Sequence, residues 1–244
     1  MNIRLTIQYD GTNYHGYQIQ PDDITIQGVL EKELKALTGE DIILIGCGRT
    51  DARVHAMNFT CNFKTNATIE PSKYKYALNA RLPQDIRCTD SVLEDDNFHS
   101  KNSAKGKTYV YRICNTEFQS AFERNFSWHY KYPIDIAKMK KAAEYLIGEH
   151  DFVGFASSGF TVKTTVREIY KIDIEKDGDI IMISVTGNGF LYNMVRIIAG
   201  TLVYAGCGKI NPDDMEDILK SCDRTRAGIT APPQGLFLRE VYYG

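Results

Sequence analysis

The sequence predicts an α+β protein built from two ferredoxin-like units, each a split βαβ. Three observations carry this expectation. The stretches before and after residues 96–106 each read approximately as strand, helix, two strands, helix, strand. The strand segments alternate apolar and polar residues, while the helix segments repeat at i, i+3 and i+4. The composition, 43% apolar and 25% charged over 244 residues, is that of an ordinary globular protein and excludes a disordered or collagen-like chain. The two units are expected to form a mixed, mainly antiparallel sheet with helices on one face. The domains are expected at residues 1–100 and 101–244.

In the first unit, Ile3, Leu5, Ile7 and Tyr9 alternate as a half-buried strand. Ile26, Val29, Leu30, Leu34 and Leu37 follow helical spacing, and Gly39 stops that helix. Ile42 to Cys47 reads as a short apolar strand, and Met57, Phe59, Cys61 and Phe63 alternate again. Ser72 to Ala80 fits a short helix, and Ile86 to Leu93 a strand.

In the second unit, Tyr109, Tyr111 and Ile113 alternate, and Phe126 to Tyr130 fits a strand pairing with them. Asp135 can cap a helix carrying Ile136, Met139, Ala143 and Leu146, with Gly148 behind it. Asp177-Gly178 between two strand patterns is a hairpin signal. An apolar helix is expected from Phe190 to Ala205. It holds Asn193 and Arg196 and falls short of the roughly 20 residues a membrane span needs. Asn211-Pro212-Asp213-Asp214 combines a cap, a first-turn proline and acidic residues, and opens another helix. Leu236 to Tyr243 closes the chain as a strand.

Lys and Arg number 29 against 31 Asp and Glu. That balance argues against bulk attraction to a polyanion but leaves room for a local basic patch. The six cysteines include no C-x-x-C pair, so reduced, mostly buried thiols are expected rather than a metal site. The chain starts directly on a strand pattern without an apolar leader core. A cytoplasmic protein without a membrane segment is the expectation.

Three places can carry chemistry. The densest is Gly46-Cys47-Gly48-Arg49-Thr50-Asp51-Ala52-Arg53-Val54-His55-Ala56, between two strands. An arginine two residues before an aspartate can hold the carboxylate ionised and oriented, which suits a nucleophile or general base. The same spacing also fits an ordinary turn with a surface ion pair. The second place is Asn97 to Thr116. It holds Lys101, Lys105, Lys107 and Arg112 and no acid at all, and alternation puts Lys107, Tyr109 and Tyr111 on one strand face. Cations beside aromatic rings suit a nucleic-acid backbone and its bases; core tyrosines on an edge strand would give the same pattern. The third place is Arg196, a charge amid apolar neighbours that must have a partner. A carboxylate such as Asp51 would serve, as would a structural ion pair elsewhere.

Gly48-Arg49-Thr50-Asp51-Ala52-x-Val54-His55-Ala56 resembles the signature of the tRNA pseudouridine synthase A family. So do Tyr9-Asp10-Gly11-Thr12-Asn13-Tyr14-His15-Gly16, Asn79-Ala80-x-Leu82-Pro83-x-Asp85-Ile86, Phe98-His99, Gly148-Glu149-His150-Asp151-Phe152, Thr165-Val166-Arg167, Phe190 to Arg196 and Ala231 to Leu236. These pieces occur in order over nearly the whole chain. The resemblance implies a cofactor-free, metal-free isomerase acting on uridines of the tRNA anticodon stem-loop, at about nucleotides 38 to 40, and working as a homodimer. By motif it implies Asp51 as the catalytic aspartate, with Arg49 and Arg196 as its cations. It also implies Tyr109 as the residue stacking on the target base and Leu236 as a pocket wall. The lysines Lys101, Lys105 and Lys107 would then hold the RNA backbone. A non-catalytic RNA-binding protein, a paralogue with another RNA target and a small-molecule enzyme are the competing readings. Three positions depart from the family pattern: Arg53 stands where glycine is usual, Tyr17 where tryptophan is common, and Ser100-Lys101-Asn102 follows Phe98-His99.

Overall fold

The computed structural model describes residues 1–159 and 162–244. Two compact units form: residues 1–105 with 237–244, and residues 106–236. Each combines a mostly antiparallel sheet with helices.

The first unit runs β1 (Asn2–Tyr9), α1 (Ile26–Thr38), β2 (Ile45–Gly46), β3 (His55–Lys64), α2 (Tyr74–Asn79) and β4 (Ile86–Glu94). β1 pairs antiparallel with both β3 and β4, and β2 pairs with β3. The strand order β4-β1-β3-β2 is that of a split βαβ. Ile3, Leu5 and Ile7 point into the core with Ile26, Leu30 and Leu34 of α1, all fully buried. Thr25 caps α1 through its hydroxyl, which accepts from Gly28 N. Gly39 ends it with φ at 74°, a left-handed conformation that glycine adopts without strain. β2 is shorter than the apolar run 42–47 suggests. Only Ile45 and Gly46 pair, with Asn62 and Cys61, while Ile43 is 77% exposed.

The second unit runs β5 (Gly106–Cys114), β6 (Trp128–His129), α3 (Ile136–Glu144), β7 (Gly148–Asp151), β8 (Val166–Asp177), β9 (Ile180–Gly187), α4 (Met194–Gly206) and α5 (Met215–Lys220). Its strand order is β5-β9-β8-β7, with β6 on β5. Asp135 caps α3, its carboxylate accepting from Ala137 N and Lys138 N. Gly148 does not terminate α3; with φ at 105° it opens β7, a strand whose sequence shows no apolar alternation. The β8–β9 hairpin closes on Gly178-Asp179, with Asp177 opposite Ile180. α4 starts at Met194 rather than Phe190, because Asn193 sits at φ 60° and interrupts a right-handed helix.

β10 (Leu236–Tyr242) ends the chain and pairs parallel with β3 through Phe237 and Leu238. Residues 237–244 thereby join the first unit. The segment after β4 is anchored there as well. Asn2 donates to the carbonyls of Asp95 and Phe98, and Ser100 N and Oγ both donate to Asn62 Oδ1. Lys105 N donates to Tyr242 O at 2.7 Å. These bonds explain why the first unit extends to residue 105. Four cysteines (Cys47, Cys61, Cys88 and Cys114) are buried thiols, and burial pushes the Cys88 thiol up to about 12. No helix among the described residues is long and apolar enough to cross a membrane.

Candidate active site

In the first unit the loop between β2 and β3 carries Arg49 and Asp51, and it is braced from behind. Cys47 N donates to Thr60 O at 2.8 Å, and Tyr17 N to Thr50 O at 3.1 Å. The Tyr9 hydroxyl and Thr50 Oγ1 share a hydrogen bond of 2.8 Å. Tyr17 stacks on Phe59 with centroids 4.1 Å apart, and its buried ring lies so close to Gly46 that a Cβ there would meet it at 2.6 Å. Burial pushes the Tyr17 phenol well above its ordinary range. The aromatic residue at position 17 is therefore a support beneath the loop.

The segment 10–16 presses on the loop as well. A Cβ on Gly11 would stand 2.0 Å from Val54 O, and one on Gly16 2.4 Å from Thr50 O, so only glycine allows this approach. Asp10 caps a turn of 3₁₀ helix (Gly11–Asn13), accepting from Thr12 N. Tyr14 is held by Asp85, whose Oδ1 accepts its hydroxyl at 2.6 Å. The buried ring of His55 completes the frame: Gly11 N donates to its Nδ1 at 3.0 Å, and it stacks on Phe237 at 4.5 Å. His55 has a positioning role that its place in the signature alone did not reveal.

Asp51 emerges from this frame half-buried, its carbonyl accepting from Val54 N at 3.1 Å. Arg49 is exposed and, among the described residues, forms no ion pair with it. Arg53 is exposed too, with φ at 66°. The loop thus keeps at position 53 the left-handed conformation that suits glycine, at about 1–2 kcal/mol for any other side chain. Of the three lysines, Lys101 and Lys105 are exposed in this unit, whereas Lys107 lies half-buried in the second.

In the second unit Tyr109 lies on β5 opposite Val185, half-buried and edge-on to Phe190 with centroids 5.3 Å apart. Tyr111, two residues on, is a core residue. Its hydroxyl donates to Pro232 O at 2.7 Å, and burial raises its phenol well above the usual range, partly opposed by the charge of Arg196. Arg196 leaves the first turn of α4 with Nε donating to Ala231 O at 2.7 Å and a terminal nitrogen to Asn193 Oδ1 at 2.6 Å. Ala231 N returns a bond to Arg196 O at 3.2 Å. Thr201 accepts from Gly228 N at 2.8 Å and anchors the start of the same segment, which ends in a 3₁₀ turn (Pro233–Gly235). Leu236 follows that stretch and is buried. No group of three His, Cys, Asp or Glu residues suited to a metal occurs among the described residues.

The family described as "tRNA pseudouridine synthase" matches residues 5–101 and 142–244. A protein named tRNA pseudouridine synthase A from Thermoanaerobacter sp. (strain X514) is 53% identical over 99% of both chains. Another of that name from Ruminiclostridium cellulolyticum is 50% identical over the same share. The chain belongs to the tRNA pseudouridine synthase family. It is accordingly an isomerase. The matched regions include both the Arg49-to-Asp51 loop and the Arg196 helix, and they omit residues 102–141, where Tyr109 lies. The chain is also similar, over 80% of its length and 45% of the other, to a chain in "Structure of H/ACA RNP bound to a substrate RNA containing 2'-deoxyuridine", at a TM-score of 0.37 and 13% identity. That likeness is too distant to bear on residue roles.

Within the tRNA pseudouridine synthase family motifs, several of the quoted residues turn out to be framework. Asp10, Gly11, Gly16, Asp85 and His55 shape the loop that ends on Asp51. Ser100 is fully buried against Asn62 and is structural, leaving Lys101 and Asn102 exposed beside it. The residues that sequence reasoning missed are Asn193 and Ala231, which hold Arg196. The αL conformation of Asn193 is a geometry that asparagine favours, so a signal existed, but the apolar run around it reads as continuous helix.

Proposed function

We infer that this chain isomerises uridine to pseudouridine in the anticodon stem-loop of tRNA, at positions 38, 39 and 40, with Asp51 as the catalytic carboxylate. The observation that carries the reading is identity of 53% across 99% of both chains to a relative named for this reaction. The braced loop ending on Asp51 supports it.

The chemistry is redox-neutral. The N1–C1′ bond breaks, the uracil turns, and C5 joins C1′; the proton lost from C5 is balanced by one gained at N1. Attack on the ring, attack on C1′ and proton abstraction from the sugar each start from an ionised carboxylate. Arg49 and Arg196 favour that ionised form. Arg196 is fixed by Ala231 and Asn193, so little reorganisation is needed as charge develops. Tyr109 stacks on the flipped base, Leu236 walls the pocket, and Lys101, Lys105 and Lys107 bind the backbone. Flipping costs a few kcal/mol, which backbone contacts offset. In this reading residues 1–100 supply the aspartate loop and residues 101–244 the tyrosine and Arg196, in a cytoplasmic homodimer.

The test is incubation of an unmodified tRNA transcript with purified protein, followed by pseudouridine mapping. Product at positions 38 to 40 is expected; product elsewhere redirects the substrate assignment, and none at all sinks the reading. Asp51→Asn removes charge at nearly constant shape. It should lower turnover by about 10²–10⁴-fold or more while tRNA affinity and the unfolding midpoint stay close to wild type.

A further inference from the structure

Three non-glycine residues among the described ones have left-handed backbone: Arg53, Asn193 and Cys222. Asn193 precedes α4, and its short amide suits that geometry. Cys222 lies in the turn after α5. Arg53 differs, because it stands two residues after Asp51 in the loop between β2 and β3. Its conformation is imposed by the backbone around it. Arg53 N donates to Tyr14 O at 3.2 Å and Val54 N to Asp51 O at 3.1 Å, while the glycines at 11 and 16 press on both sides. Glycine would fit there without strain, and a long side chain does nothing to relieve it.

The arginine is also left uncommitted within the protein. Its side chain is exposed and forms no ion pair among the described residues. Arg49 shares both properties, so two solvated guanidinium groups bracket Asp51 at −2 and +2 in sequence. A guanidinium kept out of ion pairs presents a fork that matches a phosphate.

We propose that Arg53 is an RNA-backbone contact: its guanidinium pairs with a phosphate of the bound tRNA, and the loop carries it at a cost in stability for that contact. The proposal rests on the pseudouridine-synthase reading only for the identity of the polyanion.

The experiment compares wild type, Arg53→Gly and Arg53→Lys by thermal unfolding and by filter binding of an unmodified tRNA transcript across a KCl series. Arg53→Gly should raise Tm by about 2–8 °C. It should weaken tRNA binding by about tenfold at low salt and make the log K against log salt line shallower by about 0.7–0.9. Arg53→Lys should keep the wild-type slope. Wild-type affinity or slope in the glycine variant would overturn the phosphate contact, and an unchanged Tm would overturn the stability cost. Because binding is read without turnover, a wild-type protein that binds with this Arg53 dependence yet makes no pseudouridine sinks the isomerase reading alone.

Discussion

Tyr109 and Tyr111 share a strand face and have separate fates. Tyr111 is sealed in the core with its hydroxyl bound to Pro232, whereas Tyr109 stays half-exposed beside Phe190. The stacking proposed above therefore falls to Tyr109, the more exposed of the two. Tyr109→Ala should therefore lower kcat/KM more than it weakens tRNA binding, by about 1–3 kcal/mol, the value of one stacked base. Tyr109→Phe should retain most of the activity, since it keeps the ring. Full activity in the alanine variant, measured by single-turnover kinetics, would make Tyr109 a packing residue and nothing more. Sequence made Asp51 visible because a carboxylate and an arginine two residues apart have a chemical meaning of their own. Arg196 was visible for a similar reason, as a charge among apolar neighbours. Its acceptors were not, because a backbone carbonyl such as that of Ala231 leaves no mark in the sequence.

Caps and periodicity made the longer elements legible. Gly39, Asp135 and Asn211 act where their side chains or backbone freedom predict. The short strands were not. β7 is Gly-Glu-His-Asp, with no apolar alternation, and exists because it pairs with residues 166–169 of β8. α4 is the element on which the second unit depends. Apart from Arg196 and Tyr204, all its residues are buried, and Gly200 lies against the stretch that bonds Arg196. A Cβ on Gly200 would stand 2.0 Å from Ile229 O, a backbone atom that cannot move aside alone. Helix propensity would favour Gly200→Ala by about 1 kcal/mol, yet the clash wins. The expected net result is destabilisation by about 1–3 kcal/mol, with loss of activity out of proportion to it, because residues 229–231 must shift. Chemical denaturation and a tRNA modification assay on the folded fraction check this; a stabilised, fully active variant would show that the stretch from 228 is free to adjust.

At the scale of the molecule, charge decides how RNA is held. A net charge of −2 provides no overall attraction to a polyanion, so binding must be local. The acids gather at Asp22-Asp23, Glu94-Asp95-Asp96 and Asp213-Asp214; the second of these clusters ends just before the acid-free strip holding Lys101, Lys105 and Lys107. The structure divides that strip between the units, with Lys101 and Lys105 closing the first and Lys107 in β5 of the second. This division follows from the return of β10 to β3, a pairing between residues some 180 positions apart in sequence that local patterns do not encode. The homodimer proposed above would present two such strips to one tRNA. Each lysine lost from a phosphate contact should make the salt dependence shallower by about 0.7–0.9. Changing Lys101, Lys105 and Lys107 together to Ala should therefore reduce the slope of log K against log salt by about 2–3 and weaken tRNA binding most at low salt. Sedimentation should show the oligomeric state unchanged, which separates a lost RNA contact from a lost interface. An unaltered slope in the triple variant would mean that the strip takes no part in holding the backbone.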